Sequence, residues 1–178
     1  HAGYILMALV PFGQERVAAN SAASALFYLV AYAFTNFAAW SVVIAMEKAE
    51  GRGLLLEDYA GLGRKYPALA AVMAVAMLSF TGVPPTLGFV GKFFVFRTAL
   101  DGGFVGLALI GVFTSLVSAY YYLRVVVIMY MRDGDPQVVS EPWLNLTAAA
   151  SAIGIVLLSI FSTPLFNWAA SAVLQYLG

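Results

Sequence analysis

The residue best suited to chemistry is a lysine inside an apolar run. Residues Ser79–Leu100 read SFTGVPPTLGFVGKFFVFRTAL, and Lys92 sits there among Phe89, Val90, Phe93, Phe94 and Phe96. On insertion scales an ammonium at the centre of a membrane helix costs roughly 2.5–3.5 kcal/mol unless it is paired or hydrated. A lysine so placed can gain and lose a proton as a neighbouring charge appears or disappears, which is the chemistry of a proton relay. The alternative is a structural ammonium that cages a break in its own helix. Such a break is encoded just upstream. Pro84 and Pro85 lack N–H donors and clash with the preceding turn, so a helix cannot pass through them unbroken. Gly82 relaxes the backbone before them. A proline kink that only shapes packing is the bland reading of the same residues. At membrane depth freed carbonyls need protein or water partners, so the break is expected to face the interior or a hydrated cavity. Arg97 lies about 7–8 Å nearer the Asp101 turn at 1.5 Å per residue and can snorkel to that edge. No Asp or Glu lies well inside any apolar run, so a carboxylate partner for Lys92 is expected from other sequence or another subunit. Gly88 and Gly91 read as positions of close packing.

Two polar patterns accompany the lysine. Ser24, Tyr28, Tyr32 and Thr35 fall on one helical face, with Asn36 adjoining, and Thr114, Ser118, Tyr121 and Tyr122 repeat the theme on another helix. Such side chains either tie helices together, at about 0.6 kcal/mol each, or line water leading to Lys92. Arg124 either snorkels past Tyr130 towards Arg132 or enters a hydrated interior. His1 is equally open to a packing or a relay role. Trp40, Trp143 and Trp168 lie near the ends of apolar runs, as interfacial anchors do.

The elements that must position these residues are membrane helices. Of the 178 residues, 62% are hydrophobic and 10% charged, and the apolar runs suit helices of roughly 20 residues, far too long for barrel strands. The expected fold is all-α, a polytopic transmembrane helix bundle with a proline-broken helix. Its spans are placed at about 22–46, 67–100, 104–131 and 143–163, after the end of an earlier helix at His1–Val10. Residues 1–163 form one membrane bundle, and 164–178 a terminal interfacial or extended helix. The connection Glu47–Tyr66 reads as a linker with a half-buried turn, or as a short helix along the rim or against a partner. Lys48, Arg52, Arg64, Lys65 and Arg132 gather at one set of connections and Arg16 with Arg97 at the other. The positive-inside rule puts the first set in the cytoplasm and the carboxy terminus outside. Nine basic residues balance nine acidic ones, which leaves no charged surface for nucleic acid. With no Cys and one His, Cys-ligated clusters and His-rich metal or haem sites are excluded within this stretch. The apolar opening HAGYILMALV, without a basic segment before it, is expected to lie inside a longer polypeptide, of which this is a carboxy-terminal part.

The run LEDYAGLGRKYPALAAVMAVAMLSFTGVPPTLGFVGKFFVFRTAL, Leu56–Leu100, resembles the N subunit of respiratory complex I, the proton-pumping NADH–quinone oxidoreductase. So do HAGYILMALV and SAYYYLRVVVIMYM, Ser118–Met131. The resemblance implies an antiporter-like membrane-arm subunit of about fourteen helices, related to Mrp-type cation/proton antiporter subunits, with two inverted repeats that each hold a broken helix. Pro67–Leu100 would be the broken helix of the second repeat. Lys92 matches the lysine of the family's GFxGKF motif, implicated in proton transfer along a central polar axis; VPP stands where many relatives read IPP. In the sister subunit of closest architecture a glutamate takes the lysine's role. NADH, FMN, iron–sulfur clusters and quinone would be held by partner subunits, leaving no cofactor in this chain. The partners would be other membrane-arm subunits of a large hetero-oligomeric complex. The implied location is the bacterial inner membrane or an organellar energy-coupling membrane. An Mrp-type antiporter subunit and a non-pumping scaffold are the competing functions.

Overall fold

The computed structural model describes residues 1–47 and 54–177, with 174–177 as backbone only. Among these residues the chain is helical: α1 Ala2–Leu9, α2 Ala18–Glu47, α3 Leu62–Lys65, α4 Pro67–Thr81, α5 Leu87–Asp101, α6 Val105–Met131, α7 Pro142–Ile160 and α8 Ser162–Leu177. Short 3₁₀ turns at Val10–Gly13 and Leu56–Tyr59 complete it. Three helices, α2, α6 and α7, are long and apolar enough to cross a membrane. The protein is a polytopic helical membrane protein.

The apolar run from Pro67 onward is split. At 15 residues each, α4 and α5 are about 22 Å long, short of a hydrocarbon core about 30 Å thick. Gly82 ends α4 with φ +87°, a conformation that favours glycine. Thr86 begins α5 by accepting the Phe89 N–H on its hydroxyl, at 3.4 Å, as an N-cap does. The two prolines thus fall in the connection, where their missing N–H groups cost no helical hydrogen bond.

Helix α2 is the axis of the bundle and touches α1, α4, α5, α7 and α8. Phe27, Val42 and Met46 on α2 are fully buried against Leu87, Ile128 and Ile155 from the surrounding helices. The two ends of the bundle are pinned by polar contacts. At one end Arg16 donates to the Asp101 carbonyl at 2.6 Å. At the other, Arg64 pairs with Asp133, and Lys65 with Asp135 at 2.5 Å. Lys48 and Arg52, expected at this second end, lie outside the described residues.

The last apolar run ends earlier than Thr163. Pro164 would press its ring on the carbonyl four residues back, at Ile160. Helix α7 stops at Ile160, and Pro164 takes a place in the first turn of α8, where no N–H is needed. Helix α8 then packs along α2, with Phe166 stacked on Phe94 at 4.0 Å between ring centroids.

Candidate functional site

The last turn of α4 leaves four carbonyls without helical partners. Two are met by a Schellman arrangement: Val83 N–H donates to the Leu78 carbonyl at 3.0 Å, and Gly82 N–H to the Ser79 carbonyl at 3.1 Å. The other two, on Phe80 and Thr81, accept from Lys92 Nζ at 2.9 Å each. The third donor of the ammonium goes to Ser115 Oγ on α6, at 2.7 Å. Lys92 is 4% exposed, and its charge lies at the negative end of the α4 dipole. Among the described residues no carboxylate pairs with it. Its Nζ also lies 5.1 Å from the centre of the Tyr4 ring.

Glycines permit this geometry. A Cβ on Gly82 would come within 3.0 Å of Lys92 Cδ, and one on Gly88 within 2.0 Å of the Ser79 carbonyl oxygen. Gly91 lets the Tyr28 ring approach, where a Cβ would meet Tyr28 Cδ2 at 2.9 Å. The first turn of α5 therefore lies directly against the last turn of α4, and Ser79 Oγ accepts the Gly88 N–H at 3.2 Å. Pro84 and Pro85 themselves are exposed, and the Pro85 carbonyl accepts from Ser159 of α7 at 3.1 Å. A cavity of about 340 Å³ adjoins the break, bounded by Gly82, Lys92, Phe93 and Ser115.

A second polar cluster centres on His1. Its Nδ1 is 2.6 Å from Tyr28 OH, and its Nε2 is 2.9 Å from Tyr122 OH. The Tyr32 ring stacks on the imidazole at 5.0 Å, and Tyr121 lies against Tyr122 at 4.5 Å. Two residues stand between the clusters. Phe80 gives its carbonyl to Lys92 and its ring to His1, at 4.8 Å. The Tyr4 ring is 6.2 Å from the His1 ring. No hydrogen bond among the described residues joins the clusters directly.

Of the remaining stripe residues, Thr114 and Ser118 bond within α6, whereas Ser24 and Thr35 tie α2 to α5 and α4. Thr114 donates to the Gly111 carbonyl at 3.0 Å, and Ser118 to the Ser115 carbonyl at 2.7 Å. Ser24 meets Thr98, and Thr35 meets Ser79, both at 2.8 Å. Arg124 is exposed on α6, nine residues beyond the Ser115 that meets Lys92. Thr114 lines a separate cavity of about 370 Å³ between α1 and α6, together with Tyr4, Ser118 and Tyr121. Ser115 escaped the sequence reading, although Ser115, Ser118 and Tyr122 form their own i, i+3, i+7 face. The carbonyls of Phe80 and Thr81 were signalled only as freed by the break, without a donor.

The family described as "NADH:quinone oxidoreductase/Mrp antiporter, TM" matches residues 1–118. A protein of Bdellovibrio bacteriovorus named NADH-quinone oxidoreductase subunit N is 37% identical over 170 residues, 94% of this chain and 35% of that protein. The chain therefore spans about a third of the length of that curated relative. Among solved structures, respiratory complex I from Thermus thermophilus with bound aureothin contains a chain that superposes with a TM-score of 0.75 at 27% identity. That match covers 93% of this chain and 43% of the other. The Mrp complex from Dietzia sp. DQ12-45-1b contains one with a TM-score of 0.83 at 19% identity, covering 95% and 39%, a likeness of fold.

Proposed function

Because this chain belongs to the NADH:quinone oxidoreductase/Mrp antiporter transmembrane family, we propose that it is part of a proton-translocating membrane-arm subunit of an NADH–quinone oxidoreductase. In this reading Lys92 is the proton relay. One observation carries it: a buried ammonium held by carbonyl and hydroxyl oxygens alone, with no described carboxylate to fix its charge. Three donors meet three acceptors when the amine is protonated. When the proton leaves, the neutral amine keeps two N–H bonds and gains a lone pair. The Ser115 hydroxyl can then turn from acceptor to donor towards that lone pair. The 2.7 Å contact thus serves both charge states, and neither state leaves a polar group stranded at membrane depth.

The cavity beside Gly82 and Lys92 is walled mainly by Val83, Phe89, Phe93, Phe96, Val112 and Leu116, so in this reading water that brings or removes the proton enters only at its polar edge, at Lys92 and Ser115. The His1–Tyr28–Tyr122 cluster offers a further store, since imidazole can both accept and donate at its two nitrogens. Electrons do not enter this chain in the proposal. Redox energy arrives as a change of charge or shape in partner membrane-arm subunits, which also hold NADH, FMN, iron–sulfur clusters and quinone.

Lys92→Met in the full-length protein, assembled with its partners and reconstituted in vesicles, tests the reading. Acid uptake and quinone reduction are both expected to fall while assembly is preserved. An assembled Met variant with normal acid uptake would leave the scaffold reading in its place. Uptake that follows sodium in place of protons would favour the antiporter reading.

A further inference from the structure

We propose that the cleft between α5 and α8, near the Asp101 end of the bundle, binds one phospholipid with a primary-ammonium headgroup. Its phosphate would sit on Arg97 and its ammonium on Asp101.

The cleft has a volume of about 500 Å³. Its floor is apolar, formed by Val90 and Phe93 with the stacked rings of Phe94 and Phe166. Its polar lining is Asn20 from α2 with Arg97 and Asp101 from α5 towards the bundle end, Asn167 next to Phe166 on α8, and Ser162 and Thr163 at the deeper end, just after the Ser159 that meets the Pro85 carbonyl. Among the described residues the side chains of Asn20, Ser162, Thr163 and Asn167 have no hydrogen-bond partner. Arg97 has one ionic contact, to Asp101 at 3.8 Å, too long for a hydrogen bond. Arg97 and Asp101, both exposed, thus offer one positive and one negative group side by side at the bundle end of the groove.

The order of the lining selects the occupant. From Asp101 to Val90 the groove follows twelve residues of α5, about 16 Å of helix. Along α5 the charged Asp101 and Arg97 come first from the bundle end, then Phe94, Phe93 and Val90, as a headgroup is followed by its acyl chain; the hydroxyls of Ser162 and Thr163 on α8 lie at the Val90 end. Water alone would satisfy the rim but would wet the Phe94–Phe166 floor. The charges select among lipids. Arg97 presents a planar fork suited to phosphate oxygens. Asp101 beside it repels a headgroup that is only anionic and attracts one carrying an ammonium. Phosphatidylethanolamine offers both charges in the right sequence, whereas phosphatidylglycerol offers only one.

The test uses the full-length protein in its complex, in membranes containing a photoactivatable phosphatidylethanolamine or phosphatidylglycerol with the reactive group near the headgroup. Crosslinks are mapped by mass spectrometry to the peptides that carry Arg97 and Asn167. The wild type is expected to crosslink phosphatidylethanolamine about tenfold more than phosphatidylglycerol, equivalent to about 1.4 kcal/mol. Asp101→Asn is expected to abolish or reverse that preference, and Arg97→Gln to lose both lipids. Equal labelling by the two lipids in the wild type, no labelling of these peptides, or an unchanged preference in Asp101→Asn would each overturn the proposal. Asp101→Asn keeps the rim's shape and decides alone if Arg97→Gln fails to accumulate.

Discussion

Lys92 places each of its three N–H bonds on an oxygen of the break or of α6, so moving its proton means rearranging one bond, not exposing a bare charge. Ser115 is the partner that can reverse. Ser115→Ala removes this reversal while leaving the two carbonyl bonds in place, and Ser115→Thr restores a hydroxyl. A hydrogen bond to a charged group is worth about 1.5–3 kcal/mol. Proton uptake should therefore fall by roughly tenfold or more in the Ala variant and recover substantially in the Thr variant, measured as acid uptake by vesicles holding the assembled complex. Equal uptake in all three proteins would remove Ser115 from the mechanism. Lys92 was legible in the sequence because a cation in an apolar run has a local cost that needs no tertiary information. Ser115 was not, because choosing it over Thr114 requires knowing how α6 is rotated against α4. The same is true of His1, whose partners Tyr28 and Tyr122 lie 27 and 121 residues away.

At the scale of elements, the connection between α4 and α5 is built to bring two helix ends side by side. Gly88 is its tightest point, because a side chain there would strike the backbone oxygen of Ser79. Gly88→Ala should destabilise the fold by about 1–3 kcal/mol, the usual cost of overpacking. Gly82→Ala adds a Cβ in the left-handed region, at about 1–2 kcal/mol, and presses on Lys92 as well. Thermal denaturation of the detergent-solubilised full-length protein reads both, with Gly106→Ala as a comparison expected not to destabilise, since its Cβ would meet open space within helix α6. The break itself followed from Gly82, Pro84 and Pro85, whose backbone chemistry is local. The end of α7 could also have been placed from Pro164 by the clash four residues back. What local chemistry does not give is where α8 goes afterwards, since its seat on α2 is decided by Phe166 meeting Phe27 and Phe94.

For the whole molecule, the arrangement of ends is set by contacts between distant connections. Arg64 and Lys65 meet Asp133 and Asp135 at one end, and Arg16 meets the Asp101 carbonyl at the other. The first pairs are largely exposed, and Asp133→Asn should change stability by less than about 1 kcal/mol. Their charges count more for orientation. Arg64, Lys65 and Arg132 share the end that the positive-inside rule assigns to the cytoplasm, and on that rule we propose that the α8 terminus lies outside. A cysteine at Ser171 should then react with a membrane-impermeant maleimide from the outer face of intact cells, and one at Gln137 only after permeabilisation. The opposite labelling would invert the topology. This stretch of chain has no native cysteine to interfere.

Lys92 either moves a proton or only caps the end of α4, and Lys92→Arg separates the two. A guanidinium can still donate to the Phe80 and Thr81 carbonyls, with the adjoining cavity to accommodate its bulk, but it stays charged under all working conditions. The decisive quantity is the number of protons translocated per electron in vesicles containing the assembled Arg variant. A clear fall below the wild-type ratio is the predicted result. A wild-type ratio would mean that a permanent positive charge suffices at this position, and the relay would have to lie elsewhere.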